Sequence, residues 1–249
     1  PVFEEHGTAI ERSELLTLEA DCYVDQQAFD KAIASYRAAL ALIGSAVGPL
    51  HPDNLYVLNN MSIAQKGLRD IDGARQSLER SLDTAIASYG DDSHLLVTIY
   101  NNLGNVLRRQ GELDAAAERF HEAIRLGSET LEENHPTVTK AMMNLAIVKA
   151  TAHDYPAATA AFRDVLARTE ATFSDDHPDR AMALNNLGES LSLEKKFDEA
   201  LPYLLDAKEM KARLHGLSHP KIASTLFTLG TVYEELGRLG EAEHYMRSA

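Results

Sequence analysis

The chain has 249 residues, of which 45% are hydrophobic, with 14 Gly and 8 Pro, a profile that argues for a folded chain and against a disordered or fibrous one. Its 38 Asp and Glu against 24 Lys and Arg give a formal charge of −14, which disfavours attraction to nucleic-acid phosphates or to an anionic membrane. A lone cysteine, Cys22, rules out an intrachain disulfide and a Cys-rich zinc site and fits a cytoplasmic, reducing compartment, and no apolar run is long enough to span a bilayer.

Residues 1–12 are a lead-in with no basic stretch followed by an apolar one, so no export signal is read there. From residue 13 the chain repeats: Asn60, Asn102, Asn144 and Asn186 lie 42 residues apart. A fixed period of this size marks stacked supersecondary units. The units are read as 13–54, 55–96, 97–138, 139–180, 181–222 and a truncated 223–249. The first carries Glu19 where its later copies have an apolar residue, which suits a polar cap, and sets Cys22 among apolar residues, where it reads as a small core filler. In the second, Met61-Ser62 takes the place of Leu-Gly. The third contains YNNLGNVLRRQGELDAAAERFHEAI (100–124), where Tyr100, Leu103, Leu107, Ala116, Phe120 and Ala123 recur at helical spacing around a short polar turn at Gly111. Each unit is therefore read as two antiparallel helices. The fifth repeats the pattern as LNNLGESLSLEKKFDEALPYLLDAK (184–208), and in the sixth Phe227-Thr228 replaces Asn-Asn. The chain opens at Pro1 and stops at Ala249 inside a helical pattern, so a longer parent protein with further domains is expected.

Small residues hold register too. Gly104, Ala146, Gly188 and Gly230 fall on one face of the first helix, and Ala32, Ala74, Ala116, Ala158, Ala200 and Ala242 on one face of the second. Close helix approach explains both rows. His-Pro pairs recur at 51–52, 135–136, 177–178 and 219–220. Proline preorganises a helix's first turn, so these pairs read as helix starts, not as metal ligands, because repeated positions lie a whole unit apart. His94 is followed by Leu95 instead, while Asn102 keeps its register.

The large-residue, Leu-Gly, Tyr, Ala, Phe, Ala pattern over two helices resembles the tetratricopeptide repeat. The 42-residue period, the NNLG segments and the His-Pro pairs are similar to the kinesin light chain type of that repeat. The resemblance spans residues 13–249. It implies an all-α, right-handed α-solenoid of about six helix-turn-helix units, with the first helices lining a concave face. The second helix is expected to be extended, because the unit exceeds the usual repeat by eight residues.

Helical spacing places Tyr56, Asn59, Asn60, Ile63 and Lys66 on that face in one helix, and Thr98, Asn101, Asn102, Asn105, Arg108 and Arg109 in the next. Lys140, Met143, Asn144 and Ile147 follow, then Met182, Asn185, Asn186 and Glu189, and finally Ser224, Phe227, Thr228 and Thr231. An asparagine amide both donates and accepts, so the row can pair with the N–H and C=O of an extended peptide. The resemblance implies that role for the asparagines. Apolar pockets are assigned to Tyr56, Ile63, Met143, Ile147 and Met182, and acceptance of acidic groups to Lys66, Arg108, Arg109 and Lys140. Amides that only bridge neighbouring helices remain the alternative.

The sequence thus reads as a non-enzymatic scaffold for a protein or peptide segment, with no catalytic residues, no metal and no cofactor. Neither nucleic acid nor membrane is its expected partner, and its oligomeric state is left open. The alternative is a regulatory or oligomerisation segment of a larger signalling enzyme, such as a kinase, ATPase or protease, with the face occupied by an intramolecular partner domain.

Overall fold

Each within-pair turn is closed by the same backbone device, repeated six times. The residue at its centre has positive φ: Gln27 (58°), Arg69 (62°), Gly111 (83°), His153 (63°), Lys195 (63°) and Gly237 (71°). The next N–H reaches back five residues to a helical carbonyl, as in Asp70 N–H to Gln65 O and Lys196 N–H to Leu191 O, both at 2.9 Å. This is the Schellman ending of a helix, which satisfies carbonyls that the helix leaves unpaired. The six turn centres are themselves 42 residues apart.

These turns join twelve α-helices, with no strand among the described residues. The computed structural model describes residues 2–132, 134–216 and 219–249, and side chains from residue 8 onward. The chain divides into two compact units, residues 1–132 and 133–249. The first contains α1 (Val2–Asp25), α2 (Phe29–Ala46), α3 (Asn54–Gly67), α4 (Ile71–Tyr89), α5 (Leu95–Gln110) and α6 (Leu113–Thr130). The second contains α7 (Pro136–Thr151), α8 (Tyr155–Thr172), α9 (Pro178–Leu193), α10 (Phe197–His215), α11 (Pro220–Glu235) and α12 (Leu239–Ser248). Helix α1 runs over residues that spacing assigns to a lead-in, and α5 and α7 begin before the expected unit limits at 97 and 139.

Within each unit consecutive helices pack together, and first helices also touch one another, α1 on α3, α7 on α9 and α9 on α11. Among the described residues no pair of second helices within a unit packs to that extent. The first helices of each unit therefore lie on its inner side. The second helices α2, α4, α6, α8 and α10 have 18 or 19 residues, while α3, α5, α7, α9 and α11 have 14 or 16. The long repeat lengthens its second helix, as expected.

Small residues set how closely the two helices of a pair approach. A Cβ on Gly104 would meet the Phe120 ring at 2.7 Å, one on Gly188 the Leu204 side chain at 2.6 Å, and one on Gly230 the Met246 side chain at 2.6 Å. The six in-register alanines are buried. His-Pro pairs start α7, α9 and α11, with His135, His177 and His219 at the N-cap, proline next, and each ring Nδ1 accepting the N–H two residues on at 3.1–3.2 Å. At the first pair the helix begins later, behind Asp53, whose N–H lies 3.4 Å from His51 Nδ1.

Cys22 departs from the expected core position and is exposed. The reason is helix phase: Ala20 is the buried residue of that turn, and two steps along a helix turn the side chain to the opposite face.

Candidate protein-binding face

In unit 1 the inner face of α3 presents Tyr56 and Ile63 to solvent and holds Asn59, Asn60 and Lys66 half-buried. On α5, Asn101 is buried, Asn102, Asn105 and Arg108 are half-buried, and Thr98 and Arg109 are exposed. The amides join three helices in one chain of hydrogen bonds. Asn102 Nδ2 donates to Asn59 Oδ1 at 2.7 Å, Asn59 Nδ2 to Asn60 Oδ1 at 3.2 Å, and Asn60 Nδ2 to Asp21 Oδ1 at 3.1 Å. Asn105 turns back onto its own helix, to the Asn101 carbonyl at 3.0 Å. Bridging between helices, left open by the sequence, is thus present; each bonded amide still has a second N–H, because an amide carries two donors.

Asp21 anchors this chain from α1. Besides Asn60 it accepts from the Tyr56 hydroxyl at 2.8 Å and from the buried Tyr36 hydroxyl. Burial first, and the hydrogen bond to Asp21 second, push the Tyr36 phenol up. For Tyr56 the bond to Asp21 is the larger cause. Sequence reading missed Asp21, because its register continues as Ile63, Asn105, Ile147 and Glu189 and marks no recurring acid.

At the other end of the same face lie Lys66, Arg108 and Arg109. Burial, and then the Arg109 charge, hold both Lys66 and Arg108 below their ordinary values. Arg108 Nε is buried with no hydrogen-bond partner, and none of the three cations has an ion-pair partner among the described residues. Other arginines divide: Arg75 pairs with Glu79 and Glu112, Arg125 with Glu122 and Glu129, and Arg213 with Asp176, while the exposed Arg37, Arg69 and Arg80 form no ion pair among the described residues either.

Unit 2 uses the same registers differently. Lys140, Met182 (40% exposed), Glu189 and Phe227 (62% exposed) are open to solvent, while Asn144, Ile147 and Asn186 are half-buried. Met143, expected to form an open apolar pocket, is instead buried, and its sulfur lies 3.6 Å from Asn186 Nδ2. Asn185 is also buried, because the helix after it covers that register: its Oδ1 accepts from Thr225 Oγ1 at 2.6 Å and from Lys211 Nζ at 2.9 Å. Burial lowers the pKa of Lys211, whose second hydrogen bond, 2.7 Å long, goes to Thr225 Oγ1.

A cleft of about 250 Å³ between α7, α8 and α9 is lined by Ile147, Ala150, Phe162, Asn186, Glu189 and Leu193. Ala150 and Leu193 lie two periods after Lys66 and Arg109. The two registers hold no cation in unit 2, where Ala150, Ser192 and Glu234 continue the first and Thr151, Leu193 and Glu235 the second.

The sequence matches the family model described as tetratricopeptide repeat over residues 11–87, 67–129, 95–171, 137–211 and 179–249. No curated protein matches it. Solved structures show the same fold at low identity. The array of nearly identical TPR-like repeats from Podosopora anserina, whose name ties it to kinesin light chain, is 18% identical with a TM-score of 0.68, covering 80% of this chain and 94% of that one. BtubC (BKLC) from P. vanneervenii is 20% identical with a TM-score of 0.69, covering 100% and 89%. PilW, a type IV pilus biogenesis factor, is 23% identical with a TM-score of 0.70, covering 94% and 90%.

Proposed function

The chain belongs to the tetratricopeptide repeat family, and from that premise we propose that it is a non-enzymatic cytoplasmic scaffold whose inner face in unit 1 holds an extended acidic segment of a partner protein. The observation that carries this is the trio Lys66, Arg108 and Arg109, unpaired in a chain of net charge −14, with Arg108 Nε buried and without a partner. Burying a cation without a counterion costs free energy, and a carboxylate placed there recovers it. The second N–H groups of Asn59 and Asn102 are then donors for the main-chain carbonyls of the segment, with Ile63 as an apolar contact. In this reading the asparagines both strap the helices together and hold the ligand.

The test is fluorescence anisotropy with a labelled peptide of alternating aspartate and leucine. Lys66→Ala combined with Arg109→Ala is expected to weaken binding about tenfold, with helix content unchanged. Arg80→Ala, on the exposed side of α4, is the control for general electrostatics. Equal losses in both variants would overturn the reading.

A further inference from the structure

We infer that a second cleft in unit 1, between α1, α2 and α3, docks a basic amphipathic segment of a partner protein. The cleft has a volume of about 470 Å³ and an apolar lining that includes Ile10, Ile43 and Val57, with Leu18 and Tyr56 at its rim. Leu18 is 61% exposed. Apolar side chains left in water at a concavity are the usual mark of a contact surface.

Charge fixes the kind of partner. Glu14, Asp21 and Asp53 edge this cleft. Glu14 has no hydrogen-bond or ion-pair partner among the described residues. Asp21 accepts only from the neutral groups of Tyr36, Tyr56 and Asn60. Asp53 faces His51 Nδ1 at 3.3 Å, and no lysine or arginine pairs with any of the three. Carboxylates beside a low-dielectric apolar wall attract cations more strongly than the same groups in open water. A lysine or arginine side chain suits both surfaces, because its methylene stem covers apolar contacts while its head reaches the carboxylates. Leucines of the same segment meet Leu18. This cleft is opposite in sign to the Lys66, Arg108 and Arg109 end of the face, so the inference stands apart from the acidic-segment reading.

The experiment uses a fluorescein-labelled amphipathic peptide of leucine and lysine, the same peptide with glutamate for lysine, and anisotropy at physiological salt. Glu14→Gln with Leu18→Ser is expected to weaken the lysine peptide about tenfold. Asp92→Asn with Leu239→Ser, which removes an exposed acid and an exposed leucine elsewhere, is expected to change it less than about twofold. Lys66→Ala with Arg109→Ala should not weaken it at all. In the unsubstituted protein, the peptide should shift the methyl resonances of Ile10, Ile43 and Val57. Equal weakening by the cleft and control variants, unshifted methyls, or equal affinity for the glutamate peptide would each overturn the inference.

Discussion

Asn102 Nδ2 donates to Asn59 Oδ1 across α5 and α3 at 2.7 Å, tying two consecutive repeats through side chains alone. Asn102→Ala is expected to lower stability by about 1 kcal/mol, the net worth of a partly buried hydrogen bond. Asn59→Ala should do the same, and the double variant should cost less than the sum, by about 0.5 kcal/mol or more. Urea unfolding of all four proteins supplies the cycle. Strict additivity would show that the bond contributes nothing to stability.

Lys195→Gly is expected to stabilise the protein. Lys195 sits at φ 63° in the α9–α10 turn, a conformation that costs an L-residue about 1–2 kcal/mol. Glycine removes that cost but makes the unfolded chain more flexible, leaving a gain of about 0.5–1 kcal/mol. A rise in the thermal midpoint checks it.

Gly188→Val should act in the opposite direction. The added Cβ would meet Leu204 Cγ at 2.6 Å and the Ala200 carbonyl at 3.3 Å, so α9 and α10 must part. Overpacking of this kind costs about 1–3 kcal/mol. The loss should appear in denaturant unfolding, with a wild-type midpoint refuting the tight approach.

Lys211→Met tests the half-buried ammonium. Burial lowers the folded-state pKa of Lys211 below its ordinary 10.5, so between the two values the unfolded chain binds more protons than the folded one. Stability contributed by this group therefore rises with pH across that window and is lowest below it, where the ammonium is charged in both states. The difference in unfolding free energy between the wild type and Lys211→Met should change in favour of the wild type as pH approaches 10.5. A pH-independent difference would mean that Lys211 titrates normally.

The fold was legible because its determinants recur. Ala116, Gly188 and the His-Pro pairs carry their meaning in their spacing, and helix pairs follow from the apolar period alone. The turns were less legible, since the positive-φ position is glycine only at Gly111 and Gly237, while Gln27, Arg69, His153 and Lys195 give no local signal. The candidate site was legible as a face but not in its depth. Asn101, Met143 and Asn185 share one register and are all buried, because contacts from neighbouring helices decide what a helical stripe leaves open. Lys211 acts from a position whose copies are chemically unlike it, Ala85, Gly127 and Thr169, and Asp21 from one whose next three copies, Ile63, Asn105 and Ile147, carry no acid. A period cannot announce a residue that occurs once.

Lys66 and Arg109 give way to Ala150 and Leu193 two repeats later, while the alanines and turn bonds that shape each repeat stay as they were. Recognition chemistry and architecture are therefore written in separate letters of the same unit. A lineage carrying such a chain can exchange, duplicate or reorder repeats and acquire new binding preferences without having to invent a new fold.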